Sequence, residues 1–385
     1  MIVGIYALNI RDGGGVTHLI EILSELDTSS HDFKRIVLWS SAQTLSKIED
    51  KEWLCKIEIK QTKINLLNRF IFFFINLKKL ASNERCDLLL FPGGSVHSSF
   101  RPVITMHRNL LPFETKEILR YGLSLETLKQ FLLRIIQKKS LKNSDGVIFL
   151  TDYAKSKILQ KIGPIKAETK VIGHGVDESF FAPPRTQLNI NEYNFQKPFK
   201  ILNVSIFQPY KHQWNLASAV SRLRQKGMPV ECHFIGGGHK KSIKRLQNKI
   251  SFEDPSNEFL FYHGKVEYKD ISNYYKNADI FAYTSSVETF GQTLLEGMAS
   301  GLPVACSDMS CMSEILKDTG VYFDPLNIDS IEKSISLLVN DKKLRENLSE
   351  RSYDRSKDFL WKYTAEETFK LIRSVVLRSK TKNHV

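Results

Sequence analysis

Short apolar runs alternate along this chain with stretches whose apolar positions recur at helical spacing. The runs 2–8, 35–39, 87–91, 103–106 and 146–150 are rich in Ile, Val, Leu and Phe and too short for helices, which predicts buried strands. Between them, 16–26 and the stretch from Asp152 carry the 3.6-residue period of helices that bury one face. The second half repeats the alternation, with predicted strands at 200–204, 231–235, 259–262, 280–283, 303–306 and 320–323. Strand and helix in strict alternation predict an α/β fold, each half a parallel sheet covered by helices in the Rossmann manner. A stretch without a period, bounded by Pro183 and Pro198, separates the halves and reads as an interdomain linker.

Length and composition agree with two domains. At 385 residues the chain exceeds one ordinary core, and 42% hydrophobic with 25% charged residues is a soluble globular balance. Lys and Arg outnumber Asp and Glu by 55 to 42, a net charge of +13, so the expected partners are anionic: a phosphorylated ligand, a membrane surface or a nucleic acid. No P-loop or RNA-binding motif is present, and nucleic acid is not expected as a partner. Five cysteines without a Cys-x-x-Cys pair argue against a disulfide framework or a zinc site. Met1 leads directly into the first strand without a basic n-region, so a cytoplasmic location is expected. The most apolar segment, 70–75, is far shorter than the ~20 residues that span a bilayer.

The densest chemistry lies in Ser286-Val-Glu-Thr-Phe-Gly-Gln-Thr-Leu-Leu-Glu296-Gly-Met-Ala-Ser-Gly-Leu-Pro303. Glu288 precedes a tight Phe290-Gly291 loop; Glu296 stands on the helix that follows and that Gly301-Leu-Pro303 ends. Between the two acids, the backbone N–H groups of Gly291, Gln292 and Thr293 lie at a helix N-terminus, which suits an anion.

This stretch resembles the Glu-x7-Glu signature of the retaining GT-B glycosyltransferases of family four. The resemblance implies two Rossmann-like domains facing each other across a cleft: an acceptor-side domain over 1–182, a linker over 183–199, a donor-binding domain over 200–358, and a C-terminal segment, 359–385, that returns to the first domain. It implies that Glu288, Phe290, Gly291, Gln292, Thr293 and Glu296 hold a nucleotide sugar, with Glu288 a catalytic residue that holds the sugar or acts on charge near the anomeric carbon and Glu296 at the ribose hydroxyls. No metal or other cofactor is expected, since departure of the diphosphate is assisted in this family by cations of the protein and backbone N–H groups.

Further motifs gain meaning from the same resemblance. Gly14 and Gly15, between the first strand and first helix, let backbone approach a ligand closely and would touch the donor diphosphate. Lys211, in Val204-Ser-Ile-Phe-Gln-Pro-Tyr-Lys211, matches a family lysine on the diphosphate; the arginine that accompanies it in the family is replaced by Ile206, which leaves His212, Lys265 and Arg108 as candidates for the second cation. His107, at the end of 103–106, matches a histidine near the transferred sugar and acceptor, where an imidazole can donate or share a proton. The segment 174–177, His-Gly-Val-Asp, would shape the hinge. Over 125–142 an apolar helical pattern interleaves with Lys129, Arg134, Lys138, Lys139 and Lys142. Two readings stand there: a helix packed on the core with a basic solvent face, or a membrane-surface helix suited to a lipid-linked acceptor.

The sequence as a whole is thus expected to be a retaining hexosyltransferase of surface-polysaccharide assembly of the O-antigen or capsular type, using a GDP- or UDP-linked sugar and a glycan or lipid-linked acceptor, peripheral at the inner membrane face. An inactive scaffold of the same fold and a basic nucleic-acid-binding α/β protein are the competing classes.

Overall fold

The computed structural model describes residues 1–10, 13–27, 33–59, 76–96 and 98–382; Asp12 and the apolar segment 70–75 lie outside them. The chain divides into two compact units. One comprises Met1–Phe113, Leu125–Gly175 and Leu360–Val385, the other Glu114–Ser124 and Val176–Phe359.

In the first unit, β1 (Ile2–Tyr6), β2 (Arg35–Ser40), β3 (Leu54–Glu58), β4 (Leu88–Phe91), β5 (Val103–His107), β6 (Gly146–Phe149) and β7 (Glu168–Val171) form a seven-stranded sheet in the order β3-β2-β1-β4-β5-β6-β7. All pairings are parallel. The central strands β4, β5 and β6 are buried along their whole length, as near-continuous apolar runs require. The sequence pattern missed β3 and β7 for one reason. They are edge strands, Leu-Cys-Lys-Ile-Glu and Glu-Thr-Lys-Val, half solvated and correspondingly polar.

In the second unit, β8 (Phe199–Val204), β9 (Val230–Ile235), β10 (Leu260–Gly264), β11 (Ile280–Tyr283), β12 (Val304–Ser307) and β13 (Val321–Phe323) form a parallel sheet in the order β10-β9-β8-β11-β12-β13. Strand order reverses at β8/β11 here, as it does at β1/β4 in the first unit. In such doubly wound sheets the loops leaving the two strands at that point part to opposite faces and open a crevice for ligands.

The segment 183–199, expected as a linker, packs on the second unit. Tyr193 is buried in the second unit's core against Phe199, and its hydroxyl donates to Asp279 Oδ1 at 2.8 Å. Asp279 also pairs with Arg185 at 2.6 Å and accepts the Lys200 N–H at 2.8 Å. Gln187 accepts a bond from the buried Arg345, and Asn189 with Glu192 forms a capping box. The segment lacks a period because these side-chain bonds fasten it as a strap on the unit. The chain crosses from one unit to the other between Gly175 and Val176, inside His174-Gly-Val-Asp177, earlier than the expected boundary at 182.

Candidate functional site

The site of the second unit is built at its strand-order reversal. The loop 205–212 leaves β8 and the loop 284–291 leaves β11, and side chains stitch the two together. Thr284 Oγ1 donates to the Lys211 carbonyl at 2.6 Å, the Ser286 N–H donates to the Tyr210 carbonyl at 2.9 Å, and His212 Nε2 lies 2.9 Å from Ser286 Oγ. His212 holds a left-handed backbone, φ +50°, at the start of the helix Gln213–Gln225. Burial pushes its imidazole down to about 3, with Arg120 and Arg245 adding to the effect, so it is neutral. That removes His212 from the candidate cations and makes it a tie between loops.

Lys211 and Glu288 meet, although 77 positions separate them in sequence. The Lys211 ammonium donates to Glu288 Oε1 and, at 3.1 Å, to the Tyr283 hydroxyl; that hydroxyl donates to the same Glu288 oxygen at 2.7 Å. Lys211 is buried, so the pair replaces lost hydration of the ammonium with a carboxylate and a phenol. The Glu288 backbone is clamped as well: its N–H donates to Ser310 Oγ at 2.9 Å and its carbonyl accepts the Ser310 hydroxyl at 2.8 Å. Fixed from both sides, the carboxylate has little freedom to leave the crevice.

After Glu288, Phe290 is buried with its ring edge-on to Phe359, so only its backbone can serve a ligand. Gly291 has φ +93° and caps the helix Gln292–Ala299 without a side chain; a Cβ there would come within 2.9 Å of Met312 Cε. The first turn, with Gln292 and Thr293, therefore begins on bare backbone. Glu296 lies on that helix, buried, and accepts a bond from the Tyr275 hydroxyl at 3.1 Å. Desolvation pushes its carboxyl up to about 8; the Tyr275 bond opposes this and the charge of Asp177 adds to it. Gly301, φ +64°, ends the motif where a side chain would strike the Ala182 carbonyl. Among the described residues no group of three His, Cys, Asp or Glu is arranged to hold a metal ion.

Of the other positions, Ile206 is 55% exposed and brings no charge to the loop. Lys265 is exposed next to the Gly236–Gly238 turn that follows β9, its Cβ 3.5 Å from where a side chain on Gly237 would begin. The remaining candidates sit in the first unit. Gly14 and Gly15 begin the helix Gly14–Ser24; the Gly14 carbonyl accepts Arg108 Nη2 at 2.8 Å, and a Cβ on Gly15 would lie 3.2 Å from Arg108 Nη1. Arg108 thus braces the glycine turn. His107 ends β5, buried between Phe113 and Phe149 and within reach of the Asn109 backbone. Burial lowers it to about 4, which leaves it a neutral imidazole. His174 faces His18, Nδ1 to Nδ1 at 3.0 Å, with the Trp361 ring against both. Sequence reasoning did not single out Tyr283, Tyr275, Ser310 or His18. Tyrosines at the end of one apolar run and in a polar helix carry no signal until their neighbours across the sheet are known.

Two family models cover most of the chain: "Glycosyltransferase Family 4" matches residues 12–180 and "Glycosyl transferases group 1" matches 186–355. The chain is 25% identical over 303 residues to an uncharacterized glycosyltransferase, MJ1178, of Methanocaldococcus jannaschii, covering 76% of this chain and 78% of the relative. It is 34% identical over 110 residues to the O-antigen chain mannosyltransferase B of Escherichia coli, 29% of each protein. Among solved structures, Anabaena Alr3699/HepE in complex with UDP and glucose superposes with a TM-score of 0.71 at 17% identity, over 97% of this chain and 99% of that one.

Proposed function

We propose that this chain, a family-4-like glycosyltransferase of GT-B fold, moves a hexose from a nucleotide diphosphate sugar to a hydroxyl of a lipid-linked or growing glycan in polysaccharide biosynthesis, with retention at the anomeric carbon. The observation that carries the reading is the Lys211–Glu288–Tyr283 cluster at the β8/β11 reversal, beside the helix turn that opens at Gly291. A diphosphate placed there meets an ammonium and first-turn N–H groups, both set before the reaction begins. Fixed donors aimed at a leaving group lower the barrier by meeting charge as it develops. We assign the second pyrophosphate contact to these backbone donors, since Ile206 supplies none.

Glu288 has one carboxylate oxygen engaged by Lys211 and Tyr283, which suits it to orient sugar hydroxyls rather than to attack the anomeric carbon. Departure and attack on the same face of the sugar follow, without a covalent glycosyl-enzyme. Glu296, one turn into the helix, receives the ribose diol. His107, neutral at the end of β5, takes a hydrogen bond from or gives one to a sugar or acceptor hydroxyl. The solved relative bound to UDP and the O-antigen mannosyltransferase support a nucleotide-sugar donor and a glycan acceptor.

The test is a panel of GDP- and UDP-linked hexoses, each with and without short glycan acceptors, read by nucleotide release and by the anomeric coupling of the product. Acceptor-dependent release with the donor's anomeric configuration kept is the expected result. Binding of nucleotide without release from any donor would make the protein a scaffold, and an inverted product would remove the same-face mechanism.

A further inference from the structure

The segment Glu114–Ser124 does not pack where the chain order would put it. It connects β5 to the helix Leu125–Lys142, both in the first unit, yet it belongs to the second. Its conformation is fixed by its own contacts. A short helix, Thr115–Leu119, buries Ile118 completely, and Glu117 holds Arg120 Nε at 2.5 Å. Gly122, φ +66°, then closes a turn with its N–H on the Leu119 carbonyl at 3.0 Å. Tyr121 stands between that ion pair and that turn.

Tyr121 meets the loop that carries Lys211. Its hydroxyl donates to Gln208 Oε1 at 2.8 Å, and its ring stands edge-on to His239 with centroids 5.5 Å apart. Gln208 opens the turn that presents Lys211: its carbonyl accepts the Lys211 N–H at 3.0 Å. His239 lies in the loop after β9, and its N–H donates at 2.7 Å to the carbonyl of Phe207, the residue before Gln208. Arg120 lies near enough to His212 for its charge to help keep that imidazole neutral. The segment therefore reaches the loop 205–212 at Gln208 and at His212, on either side of Lys211.

We propose that Tyr121 is a positioning residue for Lys211, acting through Gln208. The proposal rests on the reading of Lys211 as the ammonium that meets the donor diphosphate. Lys211 is buried and must set its Nζ against Glu288, Tyr283 and a phosphate at once, so a small displacement of its backbone turn is felt at the phosphate. Thr284, Ser286 and Glu288 fasten the turn at Tyr210 and Lys211; Tyr121 fastens it at Gln208. A hydrogen bond between neutral side chains shifts an equilibrium by about fivefold. That is too little to decide whether the unit folds and enough to change how often the turn presents its lysine correctly. A plain phenyl ring would pack against His239 equally well. The hydroxyl aimed at the amide oxygen is the part that packing does not require.

Tyr121→Phe keeps the ring on His239 and removes only the hydroxyl, and Gln208→Leu removes its acceptor. Isothermal titration of the full chain compares GDP and UDP with guanosine and uridine, since Lys211 acts on the phosphates alone. Each variant is expected to bind the nucleoside diphosphate about fivefold more weakly and the nucleoside as the wild type does. Tyr121→Phe combined with Gln208→Leu should be no weaker than either alone, because both remove one bond. With the donor sugar that supports turnover, kcat falls by at least the same factor while the acceptor KM stays. Unchanged diphosphate affinity and kcat in Tyr121→Phe overturn the proposal. So does an equal loss of nucleoside affinity, the sign of a general loosening of the unit, and so does a combined variant in which the two losses multiply. Lys211→Met with Glu288→Gln, which leaves no buried charge unpaired, separates this failure from that of the underlying reading. If it weakens diphosphate binding while Tyr121→Phe does not, only the positioning role fails. If it binds as the wild type does, or if the wild type binds neither nucleotide, the assignment of Lys211 to the diphosphate falls and the positioning role with it.

Discussion

Binding of the donor nucleotide is expected to expel a proton from Glu296. Its carboxyl is buried on the helix Gln292–Ala299 and pushed up to about 8, chiefly by desolvation. At pH 7 such a group is about nine-tenths protonated, and at pH 8 about half. Two ribose hydroxyls donating to the carboxylate would favour its ionised form and draw the value down. Nucleotide binding then releases about 0.9 proton at pH 7 and about 0.5 at pH 8, and the affinity rises close to tenfold per unit between pH 6 and 7. Isothermal titration of GDP and UDP in phosphate and in Tris reads this directly, because the observed heat differs by the released protons times the difference in buffer ionisation enthalpy. Glu296→Gln should bind more weakly, with no buffer dependence and no pH dependence over this range. Stability provides an independent check. A carboxyl raised in the folded state contributes stability that is fully present below its ordinary range near 4.5 and is lost as pH rises through 8. Glu296→Gln should accordingly gain on the wild type in thermal melts at pH 9 and not at pH 5. Equal heats in the two buffers, together with a pH-independent affinity, would refute the assignment of Glu296 to the ribose.

Three further outcomes are expected. Glu288→Gln should abolish transfer and, by leaving the buried Lys211 ammonium without its anion, cost about 2–3 kcal/mol of stability in urea unfolding; wild-type turnover in that variant would remove the central assignment. Lys211→Met combined with Glu288→Gln should regain much of that stability while staying inactive, since no buried charge remains unpaired; restored activity would show that neither group acts on the donor. His107→Phe should keep the ring packing with Phe113 and Phe149 yet slow transfer; unchanged kcat and KM would make His107 a packing residue.

What the sequence could and could not show follows from where the information resides. Buried central strands and the Glu-x7-Glu helix are local patterns, and both were readable from runs of a few residues. The Lys211–Glu288 pair is not local. It exists because β11 lies beside β8 while β9 and β10 extend the sheet on the other side, and a pattern of strands does not say which strands are neighbours. For the same reason Tyr283 read as the last residue of an apolar strand, although its hydroxyl joins the two charged groups. The strap around Tyr193 read as a linker because side-chain hydrogen bonds leave no period. The helix Leu125–Lys142 exposes a different limit. Its apolar pattern was evident, but the pattern states only that some face requires cover, and the face the protein itself covers carries Gln130, Gln137, Ser140 and Leu141. Which residues of the helix are covered is visible only when burial is set against the sequence, residue by residue.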